Sequence, residues 1–314
     1  MAKYIIKKLI LLIITLIITS FVIFLIFELV PGDPVLDKLG TRATPESVEA
    51  LRIQYGLNRP FIVRYLSFIK GVVTLDFGTS YTYGINVSTL LREKLVINFF
   101  LSLISIAFVI LVSIPLGIYT AKHTGGFLDR VLSVLNQSSM SIPSFVLGLF
   151  VTFFFGMVLK WFRPGGYVSY KVNFFAFLFF LIFPALSLAL PKIAMCMRLL
   201  KSNILEEAGK DYAMSAYARG NDTTSLLYRH VLKNAAMPTI TFIGMIAADM
   251  ICAGIVIEQV FSIPGLGQML INSIMTRDYP VVEAEVMMIA VFIMVISFIT
   301  DIIHACLDPR VRVF

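Results

Sequence analysis

Six stretches of this chain are apolar over the length that a membrane-crossing helix requires, and no other feature constrains the fold as strongly. They run over about Leu9–Val30, Val96–Ala121, Val131–Leu159, Phe174–Leu199, Met237–Phe261 and Val281–Ala305. Each supplies the roughly 20 apolar residues needed to span the hydrocarbon core. No water is available there to satisfy backbone N–H and C=O groups, so each span must be a helix. The composition agrees: 58% of the 314 residues are hydrophobic and only 14% are charged. The expected fold class is an all-α polytopic membrane protein with six transmembrane helices. Lys3, Lys7 and Lys8 before the first run imitate a signal peptide. The run is too long for one, however, and no small-residue cleavage site follows it, so it reads as a retained anchor.

Lysine and arginine in the loops orient the spans, because cytoplasmic loops carry the excess of both. With the N-terminus inside, thirteen fall on the cytoplasmic side: Lys3, Lys7, Lys8, Lys122, Arg130, Arg198, Lys201, Lys210, Arg219, Arg229, Lys233, Arg310 and Arg312. The short outer loops hold four: Lys160, Arg163, Lys171 and Arg277. The sequence thus predicts a multi-pass protein of the cell membrane with both termini cytoplasmic. This bias accounts for the net charge of +7 without nucleic acid as a partner. The expected division is an N-terminal helix (1–30), an extracytoplasmic helical loop region (31–95) and a five-helix core (96–314) that includes a cytoplasmic loop (201–236).

Both long loops carry helix signals. In the outer one, Thr44 is placed to cap a helix opened by Pro45 and Glu46 and stopped by Gly56. A second amphipathic stretch, "RPFIVRYLSFIKGVV", follows, so the region reads as a small helical cap. In the inner loop, a helix is expected over Lys201–Arg219, with Leu205, Ala208, Tyr212, Ala216 and Arg219 at three- to four-residue spacing. Gly220 should stop it, and Asn221 or Asp222 should cap a second helix over about Thr223–Ala236. Pro238 then opens the fifth span. This elbow is either a docking shape for another protein or a solvated surface helix.

Charges within spans are functional candidates by default. Asp249, about 11 residues past Pro238, falls near mid-membrane at about 1.5 Å per residue. It either lines a pathway or pairs with Lys192. Glu258 and Asp301 read as structural contacts near span ends. Met245 is a pathway candidate together with Asp249, although methionine also fills gaps between packed helices. Cys196, Cys252 and Cys306 form no C-x-x-C pair and read as buried reduced thiols. His123, His230 and His304 all fall on the cytoplasmic side, so no metal site is expected. Gly117, Gly148, Gly244 and Gly254 suit close helix approach. Trp161 and Tyr167 suit the membrane interface. The chain has no G-x-x-x-x-G-K-[ST] phosphate loop, no G-x-S-x-G and no H-E-x-x-H. It is therefore not expected to bind ATP by that route or to be an enzyme.

"DYAMSAYARG" and "RHVLKNAAMP" resemble the cytoplasmic coupling loop of ABC-importer permeases of the dipeptide/oligopeptide/nickel class. Met214 stands where that loop's acidic residue usually sits. "LVPGDPV" after the first span, "FSIPGLGQMLINSIMTRDYPVVEA" before the last, and "LDPRVR" at the C-terminus are similar to the family's other signatures, so the resemblance covers nearly the whole chain. It implies a type I importer permease fold. It also implies a second homologous permease, two cytoplasmic ATPase subunits that carry the ATP, and an extracytoplasmic substrate-binding protein. The residues it assigns to ATPase coupling are Asp211, Tyr212, Ala216, Arg219 and Gly220.

For substrate, "DPVLDKL", "LGIYTAKH", "RLLKSNILEEAG", "ITFIGMIAADMICAG" and "HACLDPRVR" read closest to nickel-import permeases. Nickel would pass free or, with no imidazole in the outer half, as a chelate. A peptide-specific permease of the same class is the alternative. A stand-alone secondary transporter or channel is a remoter one, disfavoured because no inverted repeat is visible.

Overall fold

The computed structural model describes residues 2–307; the "DPRVR" ending, with Arg310 and Arg312, lies outside them. Five helices have membrane-crossing length and apolarity. They are α1 (Ala2–Leu29), α5 (Val87–Lys122), α8 (Phe174–Ala208), α11 (Leu232–Val260, entered through the helical segment from Thr223) and α13 (Tyr279–Leu307). The remaining predicted span is a bent pair of helices. The sequence predicts one helix over Val131–Leu159. The structure instead has α6 (Phe127–Ser141) and α7 (Ser144–Val151, continued by a π-helical turn to Val158), with 109° between the two legs. Pro143 causes the break. It cannot donate a backbone hydrogen bond, and its ring forces Ile142 into extended geometry (φ −98°, ψ 125°).

The chain divides into two compact units. One comprises Ile6–Asn98 and Pro264–Met294; the other holds the helix residues up to Ile5, Phe99–Ile263 and the helix residues from Val295 onward. The sequence division placed 264–294 in the five-helix core, whereas the structure groups it with the first span and its loop.

In the first unit, the loop helices form where their capping residues dictate. Asp33 accepts from Val35 N (2.9 Å) and Pro34 occupies the first turn, which starts α2 (Pro34–Leu39). Thr44 and Ser47 cap each other at the start of α3 (Pro45–Tyr55), and Gly56 ends it at φ +70°, as the sequence predicts. The amphipathic stretch forms α4 (Phe61–Thr74). Phe61, Tyr65 and Phe68 of α4 pack edge-on or stacked against Phe21 and Phe24 of α1, at centroid distances of 5.3–6.2 Å.

The segment after α12 (Leu266–Met275) is anchored by Asp278, which is fully buried. Its carboxylate accepts from Ser80 Oγ (2.5 Å), Tyr81 N (2.9 Å) and Thr82 N (3.1 Å), tying the loop before α5 to the start of α13. This gives the "MTRDYP" signature a physical reason. Asp278→Ala strands two backbone donors and a hydroxyl. Loss of hydrogen bonds to a charged group costs on the order of 2–4 kcal/mol in all. The expected result is a melting temperature several degrees lower in detergent and faster proteolysis within 75–86. An unchanged melting curve would refute the anchor.

In the second unit, α8 is central and packs against α6, α7 and α11. Close approach comes from small residues. A Cβ at Gly148 would lie 3.3–3.4 Å from Ile257 and Phe261, and one at Gly244 would collide with Thr300. Pro115, Pro184, Pro191 and Pro238 all lie inside helices. Pro238 therefore does not open the fifth span; the helix runs through it. Packed neighbours and side-chain donors tolerate such prolines in membranes, and Asn203 Nδ2 reaches Ala235 O and Thr239 Oγ1 beside it, both at 3.4 Å.

Candidate coupling elbow and pathway face

The loop between α8 and α11 is an elbow, but not with the predicted breaks. The single helix expected over Lys201–Arg219 is two. α8 continues to Ala208 and stops at Gly209–Lys210, and α9 (Asp211–Ala218) follows in a new direction. Lys210 is extended (φ −79°, ψ 152°), and its carbonyl accepts the first hydrogen bonds of α9. Gly220 ends the second arm at φ +91°, as predicted, and donates to Tyr217 O (2.9 Å). Asp222, one of the two expected caps, accepts from Thr224 N (3.2 Å) and starts α10 (Thr223–Leu226). A π-helical turn, Leu227–Val231, leads into α11.

The elbow stands on a buried apolar footing. Ala213 of α9 packs with Ile118 and Ala121 of α5, Leu200 and Ile204 of α8, and Leu227, Val231 and Ala235. Polar clamps surround it. Tyr212 Oη donates to Glu207 (2.7 Å) and accepts from Asn234 Nδ2 (3.2 Å). Partial burial, and then the hydrogen bond to Glu207, push this phenol above its ordinary value. It therefore remains a donor at any physiological pH. Glu207 also pairs with Lys210. Asn221 Nδ2 donates to Ala216 O (2.9 Å), and Lys122 Nζ to Thr224 Oγ1 (2.9 Å).

The predicted coupling residues separate on this frame. Asp211, Tyr212, Arg219 and Gly220 are exposed, while Ala216 is buried and turns inward. The sequence treats Ala216 as part of a docking face. The structure corrects this: the break at Gly209 rotates α9 so that Ala213 and Ala216 share its inner face, three residues apart. The outer face that sequence reasoning missed carries Met214 and Tyr217, 63% and 61% exposed. Both are large apolar side chains held outward on a firmly seated helix.

Along α11, one face is buried against the bundle through Ile246, Ala247, Met250, Ile251 and Ile257. The opposite face exposes Met245, Asp249, Cys252, Val256 and Gln259 at alternating spacings of four and three residues, a continuous stripe. The two pathway candidates thus lie together, and the stripe extends them by Val256, Gln259 and Cys252. The sequence predicts buried thiols at Cys252 and Cys306, but both are exposed, and of the three cysteines only Cys196 is buried. Lys192 Nζ pairs with Asp249 Oδ2, with side chains 22% and 54% exposed. The pair flanks an apolar cluster of Val109, Ala189, Ile193, Cys196, Ile246 and Met250. Glu258 is buried, as a structural contact would be. Among the described residues, no three His, Cys, Asp or Glu side chains are grouped to hold a metal ion.

Membrane-length helices with internal prolines and a clamped inter-span elbow define a helical, multi-pass membrane protein. The chain belongs to the family described as the binding-protein-dependent transport system inner membrane component, whose model matches residues 113–313. Residues 1–92 match the companion model, "Binding-prot-dependent transport system membrane comp, N-term". The type I importer permease fold expected from the sequence is thereby shown. A probable peptide ABC transporter permease protein of Sinorhizobium fredii is 32% identical over 312 residues, covering 99% of this chain and all of the relative. An oligopeptide transport system permease protein of Bacillus subtilis is 34% identical over 315 residues, with the same coverage. A dipeptide transport system permease protein of Lactococcus lactis is 31% identical over 313 residues, again covering 99% and 100%. These names speak of peptides, not nickel, so the expected leaning toward nickel finds no support in them.

Proposed function

We infer that this chain is one of two homologous permease subunits of an ATP-driven importer of short peptides. The carrying observation is the elbow, a short helix seated on a buried footing with Tyr212, Met214 and Tyr217 turned outward. Each elbow docks on one of two cytoplasmic ATPase subunits, which bind the ATP; this chain binds none. Because the footing joins α5, α8 and α11, a push on the elbow moves those spans as a body rather than bending a loop. ATP-driven approach of the ATPases thus redirects the stripe on α11, which faces the pathway with its counterpart on the second permease. An extracytoplasmic binding protein delivers the peptide. The peptide assignment is supported by the names of the relatives, which match along their full length. Both termini lie in the cytoplasm on this reading, consistent with the lysine and arginine bias.

Two single cysteines on a cysteine-free background test the arrangement together. Cysteine at Ser47 should react with an impermeant maleimide in intact cells. Cysteine at Tyr217 should not, and should cross-link to an ATPase subunit in membranes. Labelling of position 217 from outside, or no cross-link to any ATPase, would overturn the proposal.

A further inference from the structure

A groove of about 620 Å³ opens on the second unit, between α5, the π-helical turn after α7 and the first half of α8. Phe108, Phe155, Trp161, Phe179, Ile182 and Leu186 line it, and every lining residue is apolar or aromatic. Its volume is that of a site for a drug-sized ligand. From Phe179 to Leu186 it follows about 10 Å of helix, all within a predicted span. One end of it is firmly built. Lys160 turns the chain through the left-handed region (φ +55°), which is costly for any residue but glycine. The turn sends successive side chains apart. Trp161 stays 59% exposed beside the groove, and its N–H donates to Phe155 O (2.8 Å). Phe162 is buried and stacks on Phe183 of α8 at 4.2 Å. The rim held in this way carries Lys160 and Arg163, both exposed. Their Cα atoms lie at most about 4 and 7 Å from that of Trp161 along the chain. Neither side chain has an ion pair or hydrogen bond among the described residues.

Tryptophan collects where headgroups meet hydrocarbon, which sets this rim at that boundary. An apolar slot that runs into the hydrocarbon from two cations at the boundary is complementary to one kind of molecule. A protein covering the slot would strand both cations unless it brought matching carboxylates. A lipid headgroup carries its phosphate at that depth already. Lipid tails are as apolar as the groove, so the tail supplies fit and the charges supply preference. We propose that the groove seats an acyl chain of an anionic phospholipid whose headgroup lies on Lys160 and Arg163. On the topology proposed above, this lipid belongs to the outer leaflet. No residue of the elbow or of the stripe on α11 lines the groove, so the lipid is a partner additional to those of transport.

The test uses the complete transporter assembly in vesicles of phosphatidylcholine and phosphatidylglycerol, with the acyl chains of one of the two lipids brominated at a time. Trp161 is the chain's only tryptophan, so subtracting the emission of a Trp161→Phe assembly isolates its signal. Brominated phosphatidylglycerol should quench that signal with a roughly 30-fold preference over brominated phosphatidylcholine, each cation contributing about fivefold. Lys160→Gln and Arg163→Gln should each reduce the preference about fivefold. Ile182→Phe, which fills the groove and keeps both charges, should return quenching to the bulk lipid composition. Both cations are exposed, so their variants stay informative if Ile182→Phe fails to fold; melting curves identify that case. Equal quenching by the two lipids, or an unchanged preference in both glutamine variants, would overturn the site. A preference that survives in folded Ile182→Phe would overturn it too, leaving attraction to the surface alone. A signal that neither brominated lipid reaches would overturn it in favour of the second permease subunit as the cover.

Discussion

Gly220→Val is expected to abolish most transport while leaving the protein in the membrane at ordinary levels. The residue sits at φ +91°, where a β-branched side chain is strained by on the order of 1–3 kcal/mol. At about 1.4 kcal/mol per tenfold, that depopulates the elbow geometry by roughly 5- to 150-fold. Nothing lies within 4 Å of where its Cβ would be, so the strain is purely backbone and the bundle beneath has no reason to unfold. Gly220→Ala should fall between the two. In reconstituted assemblies, peptide uptake and substrate-stimulated ATP hydrolysis should decline together, while each ATPase subunit hydrolyses ATP normally on its own. Wild-type uptake by the valine variant would remove the bend from the coupling mechanism.

Lys192→Met carries the second large effect, and this one is on stability. It leaves the Asp249 carboxylate beside an apolar cluster. Breaking a buried pair costs about 3–5 kcal/mol; with Asp249 half exposed, screening reduces this to about 1–3 kcal/mol. Membrane abundance and melting temperature should drop. Adding Asp249→Asn should restore both, because the stranded charge is gone, and the Lys192→Asp/Asp249→Lys exchange should also recover abundance. Asp249→Asn alone strands the less exposed Lys192 ammonium and should lower abundance too; on the proposed pathway role it should in addition lose uptake several-fold per inserted molecule. Equal abundance across the set would show that the pair does no structural work. Full uptake by the asparagine variant at limiting peptide would end its pathway role.

The comparison of sequence with fold has a simple physical pattern. Signals carried by one residue and its chain neighbours were readable: Thr44, Pro45 and Gly56 around α3, Gly220 and Asp222 at the elbow, and five continuous spans. Signals that depend on what packs alongside were not. Pro143 breaks its span and Pro238 does not, although both lie in apolar runs. Side-chain donors beside Pro238 and the packing of its helix support continuity there, and no sequence window contains that information. Ala216 was misplaced for a related reason. A small kink at Gly209 rotates every later side chain, so helical spacing counted from Leu205 no longer tells inside from outside. Asp249 and Lys192 were recognisable as candidates because charge in a span is conspicuous. That they meet could be posed from sequence but not decided.

The bend at Pro143 also bears on how the molecule is made. The leg beyond it, Ser144–Val158, has 15 residues, about 22 Å at 1.5 Å per residue, short of a hydrocarbon core of about 30 Å. A window of about 19 residues, the length over which apolarity marks a spanning helix, straddles Ile142. The apolar pattern is thus continuous where the finished helix is not. Pro143 sets the break locally, and α8, against which both legs pack, fixes the angle between them. A biogenesis intermediate truncated before α8 should accordingly already be broken at Pro143, but with a variable angle between its legs.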